Sequence, residues 1–296
     1  MSDLFEMVGV KPELAEQQVP EKENRWYDTI PWLSVIILIL IVGGCLFCNR
    51  IMTKDPSYMD LKNYTIAPCK EFLFGTDTMG RDIFSMIWYG GRQSLFIGIA
   101  ATVISTGIAI VFGTVSGMAP DWLDMLLMRA TEILLSIPNL LTVIFLQAIL
   151  GKANVFSLSF VIGITSWMSI AKIIRTEVRQ LRNNEYVIAA RCMGGGFFYI
   201  LYKHLAPNFL SSIMFMVVMN IRSAIIAEST LSFMGIGLPL EQISWGSMLS
   251  IADKALMTKS WWIILIPGLF LTATLMCMTN LGNYLRKAVN RKESYL

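Results

Sequence analysis

Six apolar runs separated by polar segments set the pattern of this chain. They fall at residues 30–47, 94–118, the second half of 121–150, 155–173, 209–227 and 261–281. A helix crosses the hydrocarbon core of a bilayer with about 20 mostly apolar residues, and these runs carry few ionised side chains. Lipid offers no partner to an open backbone N–H or C=O, so such runs close their hydrogen bonds internally as helices. The pattern predicts an all-α membrane protein of about six transmembrane helices, with both termini on one side.

Particular residues refine the elements. The run at 94–118 is rich in Gly, Ala, Ser and Thr, and its Gly113-x-x-x-Gly117 spacing permits close helix approach, which predicts an interior position. Residues 121–150 open with Asp124, Arg129 and Glu132 and turn apolar after Pro138-Asn139, the pattern of an interfacial helix followed by a span. Pro267-Gly268 lies inside the last run, where neighbouring helices can satisfy the freed carbonyls. The expected division is an acidic tail at 1–29, a first transmembrane helix at 30–48, an external segment at 49–93, a five-helix core at 94–282 and a basic tail at 283–296. The core would include a cytoplasmic loop at 174–207 and an external loop at 228–260.

Charge placement orients the spans. The loop between the fourth and fifth runs carries Lys172, Arg175, Arg179, Arg182, Arg191 and Lys203 against Glu177 and Glu185, and the C-terminal tail carries Arg286, Lys287, Arg291 and Lys292. Basic segments stay on the cytoplasmic side, so both termini are expected there. Arg50, Lys54, Lys62 and Lys70 point the other way but are largely balanced by Asp55, Asp60, Glu71, Asp77 and Asp82.

Composition narrows the class. With 55% hydrophobic and 15% charged residues and a mean hydropathy of +0.58, the chain is too apolar for an ordinary soluble domain. A net charge of +3 gives no reason to expect nucleic acid. No cleavable signal is expected, because the acidic, polar tail precedes a run long enough to remain as an anchor. The five cysteines form no framework; Cys45 and Cys48 sit in the first run, Cys69 outside, Cys192 in the polar loop and Cys277 in the last run.

Between residues 173 and 207, apolar Val178, Leu181, Val187, Ile188, Met193 and Ile200 alternate with bases, and Gly194-Gly195-Gly196 interrupts them. This reads as a short helix, a glycine turn and a second amphipathic helix returning to the membrane, stopped at Pro207. A basic loop that merely fixes topology accounts for the charge. Its length and amphipathicity exceed that need, since a topology signal requires only bases.

The stretch from Glu185 to Gly194 and on to Pro207 resembles the cytoplasmic signature of permease subunits of ATP-binding-cassette importers: an acidic residue, paired alanines, a glycine and a later proline. The resemblance implies a coupling helix that seats in a groove of an ATPase subunit, with Glu185, Ala189, Ala190, Gly194 and Pro207 as its coupling residues. Ile188 and Ala206 depart from the signature. Swelling the helix at Ala190 or Gly194 is expected to abolish transport while leaving the permeases folded. Further motifs are similar to the second permease subunit of oligopeptide, dipeptide and nickel importers. These are Phe74-Gly75-Thr76-Asp77-x-x-Gly80-Arg81-Asp82, Gly90-x-Arg92-x-Ser94, Ala227-Glu228-x-x-Leu231-Ser232-Phe233, Ser244-Trp245-Gly246 and Asn280-Leu281-Gly282. Asn283 and Lys287 depart from that pattern.

This likeness implies the type I importer permease fold in a bacterial or archaeal plasma membrane. It also implies a second homologous permease, two ATP-binding subunits holding ATP and magnesium, and an extracellular substrate-binding protein. No cofactor is expected in this chain. Peptide is the cargo expected, nickel or a metallophore the alternative within the family, and an ATP-independent secondary transporter the alternative from another class.

Among single residues, Arg222 stands out because a charge within a span is costly and functional by default. With Asn220 it is placed on the translocation path, though an arginine can instead snorkel to the interface. Glu228 reads as a structural cap or an ion-pair partner. Gly75, Asp77, Gly80, Arg81 and Asp82 read as an external structural turn rather than a ligand site. His204 is the only histidine, so this chain alone builds no histidine metal cluster. No Walker-type loop, zinc-protease motif or nucleophile elbow is present, so the chain is not expected to be an enzyme.

Overall fold

The computed structural model describes residues 31–239, 241–251, 255 and 259–293. The acidic tail expected at 1–29 lies outside the described residues. Beside two four-residue helices, Cys48–Ile51 and Phe197–Ile200, the main helices of the described residues are α1 (Trp32–Leu46), α2 (Ile83–Met118), α3 (Asp121–Leu135), α4 (Asn139–Leu150), α5 (Val155–Thr165), α6 (Met168–Leu181), α7 (Glu185–Cys192), α8 (Ala206–Phe233), α9 (Trp245–Leu249) and α10 (Trp262–Glu293). Among the described residues there is no strand, only an isolated antiparallel bridge between Thr76 and Asp82.

Length and hydropathy qualify α2, residues 212–233 of α8 and residues 262–288 of α10 as single spans. The pair α3 and α4, bent by 84°, and the pair α5 and α6, bent by 44°, each qualify as one broken span. The apolar helix α1 is shorter than these three single and two broken spans. The bends fall where the sequence interrupts the backbone ladder. Pro138 lacks an N–H and precedes α4, while Ser166 and Trp167 separate α5 from α6. Within the first pair the ionised positions lie on α3, leaving α4 apolar, as an interfacial helix leading into a span requires.

Helix α2 begins at Ile83, well before the apolar run at residue 94. Asp82 caps it, accepting from the Ser85 amide at 3.0 Å, so a helix start independent of hydropathy extends the span outward. Through its length α2 joins all three apolar clusters. One contains α1, α9 and α10 around Trp245, a second contains α6 and α7 around Ile174, Val178 and Val187, and a third contains α4, α5 and α8 around Ile162 and Leu231. Gly113 and Gly117 let α6 approach α2 directly. A Cβ on Gly113 would lie 2.7 Å from the Ala171 carbonyl, and one on Gly117 would lie 2.7 Å from Val178 Cγ1. The small-residue spacing read in the sequence therefore serves a real contact.

Pro207 differs from expectation. The returning helix is not stopped there; it runs from Phe197 through a widened turn at Leu201–Leu205 into α8, with Pro207 in the first turn of α8. A proline cannot donate to the carbonyl four residues back, and the i to i+5 turn before it absorbs that missing bond.

At the opposite end from α7, residues 52–82 form a cap over the bundle. Trp262 Nε1 donates to the Thr76 carbonyl at 3.1 Å, and Thr65 N donates to the Asp77 carbonyl at 3.1 Å. Gly75 and Gly80 take φ of +77° and +73°, and a Cβ on Gly80 would lie 1.8 Å from the Asp60 carbonyl. Only glycine fits both constraints there.

Candidate functional site

Helix α7 projects between two long helices as a separate eight-residue segment. Asn184 precedes it, Glu185 occupies its first turn and Arg191 its last, which complements the helix dipole at both ends. Val187 and Ala190 are buried, and Val187 packs in one cluster with Val178, Ile200 and Leu205. Gly194 ends the helix at φ +85°, and Gly195 N donates to the Ala190 carbonyl at 2.9 Å. Glu185 and Ala189 are exposed, as are Gly194 and Pro207.

The outward surface of this loop is apolar despite its basic composition. Met193, Phe198 and Tyr202 are each at least 80% exposed, and Ile188 is half exposed. Exposed apolar groups close together in the chain, among charged neighbours, mark a surface for contact with another protein or with the membrane. Ala190 faces inward, so a large side chain there would press on α7's own support, whereas Ala189 faces outward.

Behind α7 lies an ionic clamp that sequence reading missed. Asp124 of α3 is 2% exposed. It accepts from Ser116 Oγ at 2.6 Å and from Arg175 Nε at 2.9 Å, and Arg175 adds a second bond through Nη2. Arg179 bridges Asp124 and Asp121, while Arg182 Nη1 donates to the carbonyls of Gly117 and Ala119 at 3.0 and 3.2 Å. Two arginines and a serine hydroxyl therefore converge on one buried carboxylate. The arginines recur every three to four residues along one helical face, opposite aspartates spaced by three. That pairing pattern was the available signal; it was read only as a topology determinant.

The cap residues resolve as structure. Arg81 Nε meets Asp77 Oδ2 at 2.7 Å with both side chains almost fully buried, and Asp77 Oδ1 accepts from the amides of Met79 and Arg81 at 2.8 and 2.9 Å. Asp77 has spent its acceptor capacity on its own turn, and Asp82 caps α2.

Glu228 corrects another expectation. It is fully buried, and among the described residues it pairs with no cation. Hydroxyls of Ser244, Ser232 and Ser94 donate to it at 2.7, 2.9 and 3.1 Å, with Ser229 at 3.4 Å. Ser94 Oγ also accepts from Trp245 N at 3.2 Å, so this knot ties α2, α8 and α9 together. Neutral donors satisfy the carboxyl without the desolvation cost of a second charge.

The two path candidates part company. Asn220 donates through Nδ2 to Ser105 Oγ of α2 and lines a cavity of about 350 Å³ where both broken spans bend. Arg222 is partly buried, its Nε has no hydrogen-bond partner, and it is not among the residues lining that cavity. At 100° per residue the two side chains project from well-separated faces of α8.

A helical bundle with single and broken apolar spans, a buried ionic clamp and an exposed apolar loop is the architecture of a multi-pass membrane protein. The chain belongs to the family of binding-protein-dependent transport system inner membrane components, which matches residues 109–293. Similar proteins include the oligopeptide transport system permease protein OppC of Bacillus subtilis, 34% identical over 98% of this chain and 97% of that protein. The dipeptide transport system permease protein DppC of the same organism is 34% identical over 88% of this chain and 79% of its own length. OppC of Haemophilus influenzae is 37% identical over 88% and 82% respectively. As a permease component the chain is not an enzyme.

Proposed function

We propose that this chain is one of two permease subunits of an ATP-driven peptide importer, with α7 as the element through which ATPase subunits move it. The observation that carries the reading is the exposed apolar surface of α7 and the following turn, on a loop otherwise suited to water. The names of the similar permeases support peptide as cargo over nickel or a metallophore. In this reading a second homologous permease completes the translocation path, two ATPases hold ATP and magnesium, and an external binding protein delivers substrate. The excess of lysine and arginine in the loop and the C-terminal tail supports a cytoplasmic side for α7 and both termini, with proposed divisions at residues 30–48, 49–93, 94–282 and 283–296. Glu185, Ala189, Ala190, Gly194 and Pro207 are the coupling residues.

Coupling requires that nucleotide state change the free energy difference between outward-facing and inward-facing permease arrangements. The clamp provides a route. Movement of α7 passes through α6 to Arg175 and Arg179, and through Asp124 to α3, the arm of the first broken span.

Purification from the native membrane tests the assembly. A second permease and two ATPases should co-purify, and Ala189→Arg should abolish ATP-driven peptide uptake while leaving the permease pair intact. Recovery of the chain alone, transporting in proteoliposomes without ATP, would establish the secondary-transporter alternative instead.

A further inference from the structure

The two helix breaks open onto the same space. Pro138 and Asn139 from the first break and Ser166 and Ser169 from the second line the cavity of about 350 Å³, and Asn220 and Ser223 of α8 form its remaining wall. No lining residue is ionisable. Asn139, Thr142, Ser169 and Ser223 have unused side-chain hydrogen-bonding capacity among the described residues. Met168, Met216 and Met219 supply much of the apolar wall.

This is an unusual lining for a space beside helices rich in charge at their ends, and its chemistry matches one kind of cargo. A peptide main chain presents the same neutral donor and acceptor at every residue, whatever side chains it carries. Amide and hydroxyl side chains can answer either group by turning a donor or an acceptor toward it. Thioethers adapt to side chains of differing shape. A fixed charge, by contrast, would attract some cargoes and repel others.

We propose that this cavity is the subsite of the translocation path that receives the main chain of a short peptide, and that its lack of ionisable groups makes passage indifferent to the charge of the cargo's side chains. The proposal rests on the peptide-importer reading. The volume lies at the small end of ligand sites, which suits a main-chain segment whose side chains reach into the open side. Asn220, fixed by its bond to Ser105, is the positioned hydrogen-bonding group; Ser223 lies one turn further along α8, and Ser169 lines the same cavity from α6.

The test is uptake by the complete transporter in proteoliposomes, comparing a lysine-centred with a glutamate-centred alanine tripeptide. Each variant's rate is divided by the wild-type rate for the same peptide, so the binding protein's own preference cancels. Ser223→Asp should disfavour the glutamate peptide about tenfold relative to the lysine peptide, the order expected for facing charges a few ångströms apart in a partly dry site. Ser223→Lys should reverse the sign, and Ser169→Asp, on the opposite wall, should repeat the result of Ser223→Asp. Equal loss for both peptides, or no loss, in all three variants overturns the inference. Wild-type uptake of neither peptide, alongside ATP-driven uptake of another cargo, would remove the peptide reading and this site with it. Wild-type uptake of both without discrimination by the variants removes this site alone.

Discussion

At Asp124 one carboxylate holds three elements, so its partners set the cost of losing it. Arg175→Ala would leave a buried carboxylate with half its compensation, and breaking such a pair costs roughly 3–5 kcal/mol. Thermal unfolding of the detergent-solubilised protein should register that loss, whereas Arg129→Ala, at an exposed pair, should change it by less than about 1 kcal/mol. At Glu228 a similar comparison separates charge from hydrogen bonding. Glu228→Gln keeps one acceptor oxygen and turns an NH2 donor toward the serines that served the other, so it should cost about 1 kcal/mol, while Glu228→Leu strands all of the hydroxyls at about 1–3 kcal/mol each. An equal loss in both variants would show that the serine knot contributes nothing. Gly194 has open space around it but a left-handed backbone, so Gly194→Asn should be tolerated and Gly194→Val should cost about 1–2 kcal/mol.

Among the elements, the contact between α2 and α6 is the route by which the proposed coupling would carry motion from the loop inward. The glycine at 117 places Val178 against the α2 backbone, and Arg182 reaches the carbonyls of Gly117 and Ala119 from the same face. Gly117→Leu should push α6 away, at about 1–3 kcal/mol of overpacking. Because the shift lies between α7 and the clamp, uptake should fall while ATP hydrolysis continues, an uncoupled state visible as ATP consumed per peptide transported. Unchanged coupling in a folded Gly117→Leu variant would exclude α6 as the connecting element. The spacing Gly113-x-x-x-Gly117 was legible because small residues at helical intervals have one main use in membranes. The partner helix was not, since spacing on α2 carries no information about which surface fills the groove.

For the whole molecule, sequence alone determined the all-helical membrane class, the interruption of the apolar runs by a basic loop, and the motifs that mark the family. Each depends on interactions within a helix or on exclusion of polar backbone from lipid, and so leaves a local, periodic trace. Tertiary structure decided the rest. It paired Asp124 with arginines 51 and 55 residues away, enclosed Glu228 with Ser94 across 134 residues, and turned Ala190 inward but Ala189 outward. It also separated Asn220 from Arg222 and brought two helix breaks to one uncharged cavity. Such pairings arise when helices that are each stable alone settle against one another, and the identity of the facing helix is written in neither sequence segment by itself.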